Sequence, residues 1–258
     1  MTKTKYRNVV IFGTSQGIGK ALALEYASLK SNLVLLSRNI DAIEGFSEDI
    51  SILGGTAFFM KCDVSVKSDV HNAIEFALNK LNSIDLAIIN SGVGSPEWME
   101  GFKSDDFKRI HEINVFGIAH ALEFLIPVMK KQGYGTIAGV TSLADVRGYP
   151  GSAGYCSSKA AASVLLESAR VELKRNNIKI ITVKPGFVKT AMTDKNEFYM
   201  PFLMDTTKAA KIIRKGIEKG RSIVQFPFFT VNLTRLVKYL PNFIYDPLLR
   251  LGRKPVKG

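Results

Sequence analysis

Seven short runs rich in Val, Ile, Leu and Phe punctuate the chain, at residues 9–12, 33–36, 57–60, 86–89, 136–140, 178–183 and 222–226. No other feature restricts the fold as tightly. Each run has strand length and is apolar at consecutive rather than alternating positions, which is the pattern of a strand covered on both faces. The intervening stretches carry helical spacing at 19–29, 41–53, 67–81, 104–131, 155–176 and 206–219. Strand and helix in alternation build βαβ units, so the predicted class is α/β, three layers, doubly wound around a seven-stranded parallel sheet. Pro127 predicts a kink or an early stop in the fourth helix. One such domain over residues 1–258 is long enough to bury its core without disulfide or metal staples. Two segments lack the alternation. Residues 187–205 are expected to form a substrate-loop region, and residues 227–258 an apolar, basic C-terminal extension.

A glycine cluster, Gly13-Thr-Ser-Gln-Gly17-Ile-Gly19, follows the first strand directly and opens a helix. In that position the first glycine permits the turn and the second a close approach of backbone to a pyrophosphate. The third permits tight packing of helix on strand, and the helix N-terminus presents free N–H groups to phosphate. This is the dinucleotide-binding (Rossmann) version of the doubly wound fold, and it makes Gly13, Ser15, Gln16, Gly17, Ile18 and Gly19 candidate cofactor contacts. The second strand ends in Leu36-Ser37-Arg38-Asn39, with no carboxylate to hold a ribose 2′-hydroxyl. Arg38 can instead pair with a 2′-phosphate, with Ser15 and Asn39 as neutral donors, so NADP(H) is the expected cofactor. After the third strand, Asp63 is placed to accept from an adenine amino group and Val64 to pack the ring. After the fourth, Asn90-Ser91-Gly92 is a small polar turn suited to backbone contact with a cofactor.

The fifth strand runs into Thr141-Ser142, and thirteen residues later Tyr155-Cys-Ser-Ser-Lys159 opens a helix. A spacing of four puts Tyr155 and Lys159 on one face, where an ammonium is expected to lower the phenol pKa toward neutrality. With these motifs in this order the chain resembles the short-chain dehydrogenase/reductases, in their compact, NADP-preferring form, over residues 9–192. The resemblance implies a catalytic tetrad of Asn114, Ser142, Tyr155 and Lys159. It also implies cofactor contacts from Tyr155, Lys159, the Pro185-Gly186 turn, Val188 and Thr190. The implied reaction passes hydride from NADPH to a carbonyl polarised by Ser142 and Tyr155, with Tyr155 giving the proton, Lys159 holding ribose hydroxyls and Asn114 anchoring a relay water. Three positions depart from the family pattern, with Phe12 for the usual threonine before the loop, Ile89 for the first asparagine of the fourth-strand turn and Ser91 for its alanine.

Thirty-five basic residues against 23 acidic give a net charge of +12. From Lys189 onward there are fourteen basic residues and five acidic, so most of the excess lies in the last quarter of the chain. No nucleic-acid reading element accompanies it. The extension mixes Phe228, Phe229, Leu233, Leu236, Phe243 and Leu248 with Arg235, Lys238, Arg250, Arg253, Lys254 and Lys257. An anionic membrane surface, a subunit interface and a cover for the pocket all suit that composition. No apolar run approaches the roughly 18 residues of a membrane span, and Cys62 and Cys156 match neither a redox pair nor zinc spacing. The expected setting is cytoplasmic, with or without peripheral membrane contact, and the expected assembly a homodimer or homotetramer. His71, His111 and His120 are isolated and metal ligation is not expected. Phe187, Met192, Phe198, Tyr199, Met200 and Phe202 give residues 187–205 an apolar face suited to a hydrophobic ketone or secondary alcohol. Two alternatives stay open, a non-catalytic NADP-binding sensor or scaffold and a membrane-surface protein acting through its tail.

Overall fold

A computed structural model describes residues 4–194 and 200–251. Seven strands form one sheet: β1 (Asn8–Phe12), β2 (Asn32–Ser37), β3 (Thr56–Lys61), β4 (Leu86–Ile89), β5 (Gly135–Val140), β6 (Ile178–Pro185) and β7 (Ile223–Phe226). Their order is β3-β2-β1-β4-β5-β6-β7 and every pairing is parallel. The fold is therefore the three-layer Rossmann arrangement expected from the seven apolar runs. Chain order reverses between β1 and β4, which opens a crevice beyond the carboxyl ends of those strands. Register makes the crevice edge level, since Phe12 pairs with both Leu36 and Ile89, Ile89 with Gly139, and Val140 with Val183. Gly13, Ser37, Asn90 and Thr141 thus emerge side by side.

Alternate residues of one strand feed opposite cores, which is why the runs read as continuously apolar. Val10 and Phe12 pack with Val70, Ala73 and Ala121, from α4 (Lys67–Leu81) and α6 (Gly117–Gln132). Val9 and Ile11 pack with Leu22, Tyr26 and Ile213, from α1 (Gly17–Ala27) and α8 (Thr206–Glu218). Phe12 and Ile89, two of the three departures from the family pattern, are buried in the strands themselves.

Three helix expectations are corrected. The stretch 41–53 is two helices, α2 (Asp41–Glu44) and α3 (Ser47–Ile52). Gly45 is a weak helix former, and Phe46 leaves the helical path to be buried, with the Lys20 ammonium 4.8 Å from its ring centroid. The fourth helix neither stops at Pro127 nor keeps one geometry. It runs as α5 (Ser104–His111), a π-helical turn at Glu112–Phe116 and α6, passing Pro127 to end at Gly133 in left-handed backbone. Leu125 and Met129, both buried, hold the helix across the missing proline N–H. Ser104–Gln132 is also long and apolar enough to cross a membrane, contrary to the sequence expectation, but its apolar residues include Ile118, Ala121, Leu122, Leu125 and Met129 of the core. The helix after β5 begins earlier than its apolar pattern suggests, as α7 (Ala153–Glu172), and closes in a 3-10 turn at Leu173–Asn176.

Residues 187–205 are tied at their base by backbone bonds between Lys189 and Met204 and between Met204 and Phe187. Phe198 and Tyr199 lie outside the described residues. The extension holds two helices, α9 (Phe228–Tyr239) and α10 (Asn242–Leu251), and its last basic residues, Arg253, Lys254 and Lys257, also lie outside the described residues.

Candidate active site

The level carboxyl ends of β1, β2, β4, β5 and β6 enclose a cleft of about 290 Å³. Of the sequence-derived candidates, Gly13, Ser15, Gln16, Gly17, Ile18, Arg38, Asp63, Val64, Asn90, Ser91, Gly92, Ser142, Tyr155, Lys159, Pro185, Gly186, Val188 and Thr190 all line it. Gly19, Asn39 and Asn114 do not. Gly19 sits behind the loop, where an added Cβ would lie 2.0 Å from the Gly13 carbonyl oxygen, so its part is to let α1 close on β1. Asn39 turns away, and its side chain accepts from the Ala42 N–H (3.2 Å) at the start of α2.

The glycine loop is shaped for an anion. Gly13 and Gly17 have φ of +79° and +59°, backbone that favours glycine. Asn90 Nδ2 donates to the Gly13 carbonyl (2.8 Å), fixing the turn against β4. No side chain caps the start of α1 and no acid lies in its first turn, so its N–H groups face the cleft unclaimed by side chains. This cradle, with Arg38 at its rim, fits a dinucleotide phosphate. Arg38 is largely exposed and its guanidinium stands 3.9 Å from the Asp63 carboxylate. Asp63 also accepts from the N–H and hydroxyl of Ser65 (3.0 and 2.6 Å), so one of its oxygens is held in a local turn.

At the other end, Lys159 is 4% exposed and its ammonium donates to the Val140 carbonyl (3.1 Å). A Cβ on Gly92 would lie 3.1 Å from that nitrogen, which accounts for glycine there. Ser142 Oγ accepts from the Ala144 N–H (3.1 Å) and is hydrogen-bonded to Tyr155. Burial raises the Tyr155 pKa above the ordinary phenol value, and the Ser142 hydrogen bond offsets part of the rise. Burial brings Lys159 down to about 8. The expectation that the ammonium draws the phenol toward neutrality is thereby corrected. Lys159 stands 5.8 Å from the Tyr155 ring centroid, and burial is the largest influence on the phenol.

Asn114 is fully buried in the π-helical turn. Its Oδ1 accepts from the Val93 N–H (2.8 Å), and its Nδ2 donates to the Val93 carbonyl (2.8 Å) and Ser158 Oγ (3.0 Å). The side chain therefore clamps the segment after β4 onto α7. A π turn widens a helix locally and recurs at functional sites.

Several residues were missed by sequence reasoning. Ser37, Cys62, Val93, Ile113, Val140, Thr141 and Thr193 also line the cleft, beside Met192 of the expected apolar loop face. Glu97, 7% exposed, accepts from the Gly154 N–H (2.9 Å) at the first turn of α7, one residue before Tyr155. Asp145 pairs with Lys184 (2.6 Å) and accepts from Ser163 (2.5 Å), joining the Ser142 segment, α7 and the end of β6. The one signal for Glu97 and Asp145 was an acid within a few residues of a motif, which is too common to act on.

A family model described as short chain dehydrogenase matches residues 7–198. An uncharacterized oxidoreductase of Myxococcus xanthus (strain DK1622) is 32% identical over 250 residues, which are 97% of this chain and 99% of the relative. The 7alpha-hydroxysteroid dehydrogenase of Escherichia coli (strain K12) is 34% identical over 181 residues, 70% of this chain and 71% of the relative. Among solved structures, a 7 alpha-hydroxysteroid dehydrogenase complexed with NADH and 7-oxo glycochenodeoxycholic acid superposes with a TM-score of 0.78 at 28% identity, over 85% of this chain and 92% of that one. ElxO with NADP bound superposes with a TM-score of 0.77 at 26% identity, over 85% and 96%. The family match runs from just ahead of β1 through the residues that line the cleft, and the chain belongs to the short-chain dehydrogenases, oxidoreductases of carbonyl and alcohol groups with an NAD(P)-binding Rossmann-type site.

Proposed function

We propose that the protein is an NADP(H)-dependent carbonyl reductase or alcohol dehydrogenase, acting on a hydrophobic ketone or secondary alcohol. The observation that carries this reading is the convergence of Ser142, Tyr155 and Lys159 on the same cleft as the glycine loop and Arg38. A sensor or scaffold has no need of a buried lysine and a hydrogen-bonded tyrosine at its cofactor, so catalysis is preferred over that alternative. Gly13–Gly19 and Arg38 would hold the dinucleotide phosphates, and Asp63 and Val64 the adenine. When bound, the nicotinamide supplies or accepts the hydride.

Tyr155 remains a phenol at neutral pH because burial raises its pKa, which suits a proton donor to a carbonyl oxygen. Ser142 donates a second hydrogen bond to that oxygen, while its link to Tyr155 orients both hydroxyls. Lys159 is charged below about pH 8 and holds ribose hydroxyls. Asn114 acts as a positioning residue, since its amide is engaged by Val93 and Ser158. NADP is preferred to NAD because the end of β2 offers Arg38 and no carboxylate. The apolar side chains of Val93, Ile113, Val188 and Met192 at the cleft support a hydrophobic substrate, as does the likeness to the hydroxysteroid dehydrogenase of Escherichia coli. An assembly of two or four copies is part of the reading, supported by exposed Val164 and Val171 along α7, and light scattering tests it.

The deciding experiment is a panel of ketones and alcohols assayed with NADPH and NADH. Turnover that favours NADPH and vanishes in Tyr155→Phe is the expected result. Cofactor binding without turnover of any carbonyl would hand the site to the sensor alternative.

A further inference from the structure

The C-terminal helices show the reverse of ordinary burial. Phe228, Tyr239 and Phe243 are 74%, 78% and 78% exposed, and Phe229, Leu233 and Leu236 are at least half exposed. Phe229, Leu233 and Leu236 recur at spacings of four and three, so they share one face of α9. The residues that attach the hairpin are few. Val231 and Tyr245 are buried, the Tyr245 hydroxyl donates to the Gly148 carbonyl (2.7 Å), and the Arg147 guanidinium bonds the Leu240 carbonyl (2.6 Å) and Asn242 Oδ1 (2.7 Å).

One attachment point, Gly186, lines the cleft, and the other lies in the segment that joins Ser142 to α7. Arg147 and Gly148 lie between Ser142 and Tyr155 in the chain. At the other end the Gly186 N–H donates to the Phe226 carbonyl (2.7 Å), and Thr230 packs beside Gly186. Phe229 stacks on Phe202 of the substrate-loop region, ring centroids 5.4 Å apart. The exposed apolar face is therefore continuous with the substrate-loop region, whose Val188, Thr190 and Met192 line the cleft. The charges on it have one dominant sign, with Arg235, Lys238 and Arg250 exposed and Asp246 the single acid on the two helices.

We propose that α9 and α10 seat the protein on an anionic lipid surface with the cleft mouth beside it, so that a bilayer-dissolved substrate passes directly between membrane and active site. Aromatic side chains suit the headgroup boundary and flanking cations suit acidic lipid. A second copy fits less well, since a two-fold contact through this face would set like cations together. The substrate half of the proposal rests on the function proposed above; the docking half does not.

The test is sedimentation of the full chain with vesicles of phosphatidylcholine alone or of equimolar phosphatidylcholine and phosphatidylglycerol. Binding to the anionic vesicles should exceed binding to the neutral ones by about tenfold or more and weaken as salt is added. Arg235→Glu/Arg250→Glu and Phe228→Ser/Phe243→Ser should each lower it by about tenfold. Each preparation is also assayed with a water-soluble ketone and sized by light scattering. Failure to sediment with either vesicle by a protein that still reduces the soluble ketone overturns the docking proposal and leaves the function standing. Vesicle binding without ketone turnover supports docking and removes the function. Loss of a dimer in the Phe228→Ser/Phe243→Ser variant, with wild-type protein that ignores vesicles, overturns docking in favour of a second copy.

Discussion

The cleft and the C-terminal hairpin face each other across Gly186 and Arg147, and they use apolar and polar side chains in opposite ways. Around the cleft, apolar residues disappear into the two sheet faces, and the polar groups that remain are held by named partners, as Asn90 is by Gly13 and Asn114 by Val93. On the hairpin, large apolar residues stand in solvent while a few polar bonds attach it. A region that fixes reacting atoms must restrain its polar groups, whereas a surface that meets a fluid partner can leave its apolar groups free. The contrast implies that substitutions in the cleft change chemistry and stability, and substitutions on the hairpin face change neither.

The sharpest break is Tyr155→Phe. Removing the proton donor should lower kcat/KM by about a thousandfold while NADPH still raises the melting temperature. Equal loss of cofactor binding would mean that the tyrosine is structural. Lys159→Met probes the same site through stability. The wild-type lysine titrates near 8 when folded and at 10.5 when unfolded, so between those values the unfolded chain binds more protons and wild-type stability rises with pH. The variant should therefore be more stable at pH 7, by at most about 3–4 kcal/mol, with a gap that closes as pH passes from 8 toward 10.5. Denaturant titrations across that range measure it, and a gap independent of pH would contradict the buried ammonium.

Arg38→Ala should raise the KM for NADPH by about ten- to a hundredfold and leave that for NADH nearly unchanged, the loss of one charge-assisted phosphate pair. A parallel rise for both cofactors would remove the 2′-phosphate assignment. Least affected of all is Phe228→Ser/Phe243→Ser. Its unfolding free energy should stay within about 0.5 kcal/mol of wild type and its soluble-ketone turnover unchanged. A large stability loss there would show that the hairpin face is a core in disguise, and the contrast between the two regions would collapse.

The legibility of the molecule divides along the same line. The strands could be read because a parallel strand covered on both faces is apolar at most positions, as β1 is from Val9 to Phe12 and β4 throughout. The cofactor loop could be read because its glycines answer to local backbone geometry. The break at Gly45-Phe46 was hidden, since Phe46 fits a helical stripe as well as it fits the pocket beneath Lys20. The π turn at Glu112–Phe116 was hidden too, because its cause, Asn114 reaching Val93 and Ser158, is contact between residues far apart in the chain. Glu97 and Asp145 are ordinary acids in sequence and become positioning groups only when α7 is laid beside them.

By itself the sequence determined the parallel sheet, the phosphate cradle and the chemical types of the reacting side chains. These follow from periodicity, glycine backbone freedom and spacing along one helix, all of which act over a few residues. Only the tertiary structure decided that Lys159 is desolvated and Tyr155 raised rather than lowered in pKa, and that the Asn114 amide is engaged by Val93 and Ser158. It alone placed the apolar side of the C-terminal hairpin outward, with Phe229 stacked on Phe202. Each of those depends on how much water and which distant neighbours surround a group, and neither is written in the residues next to it.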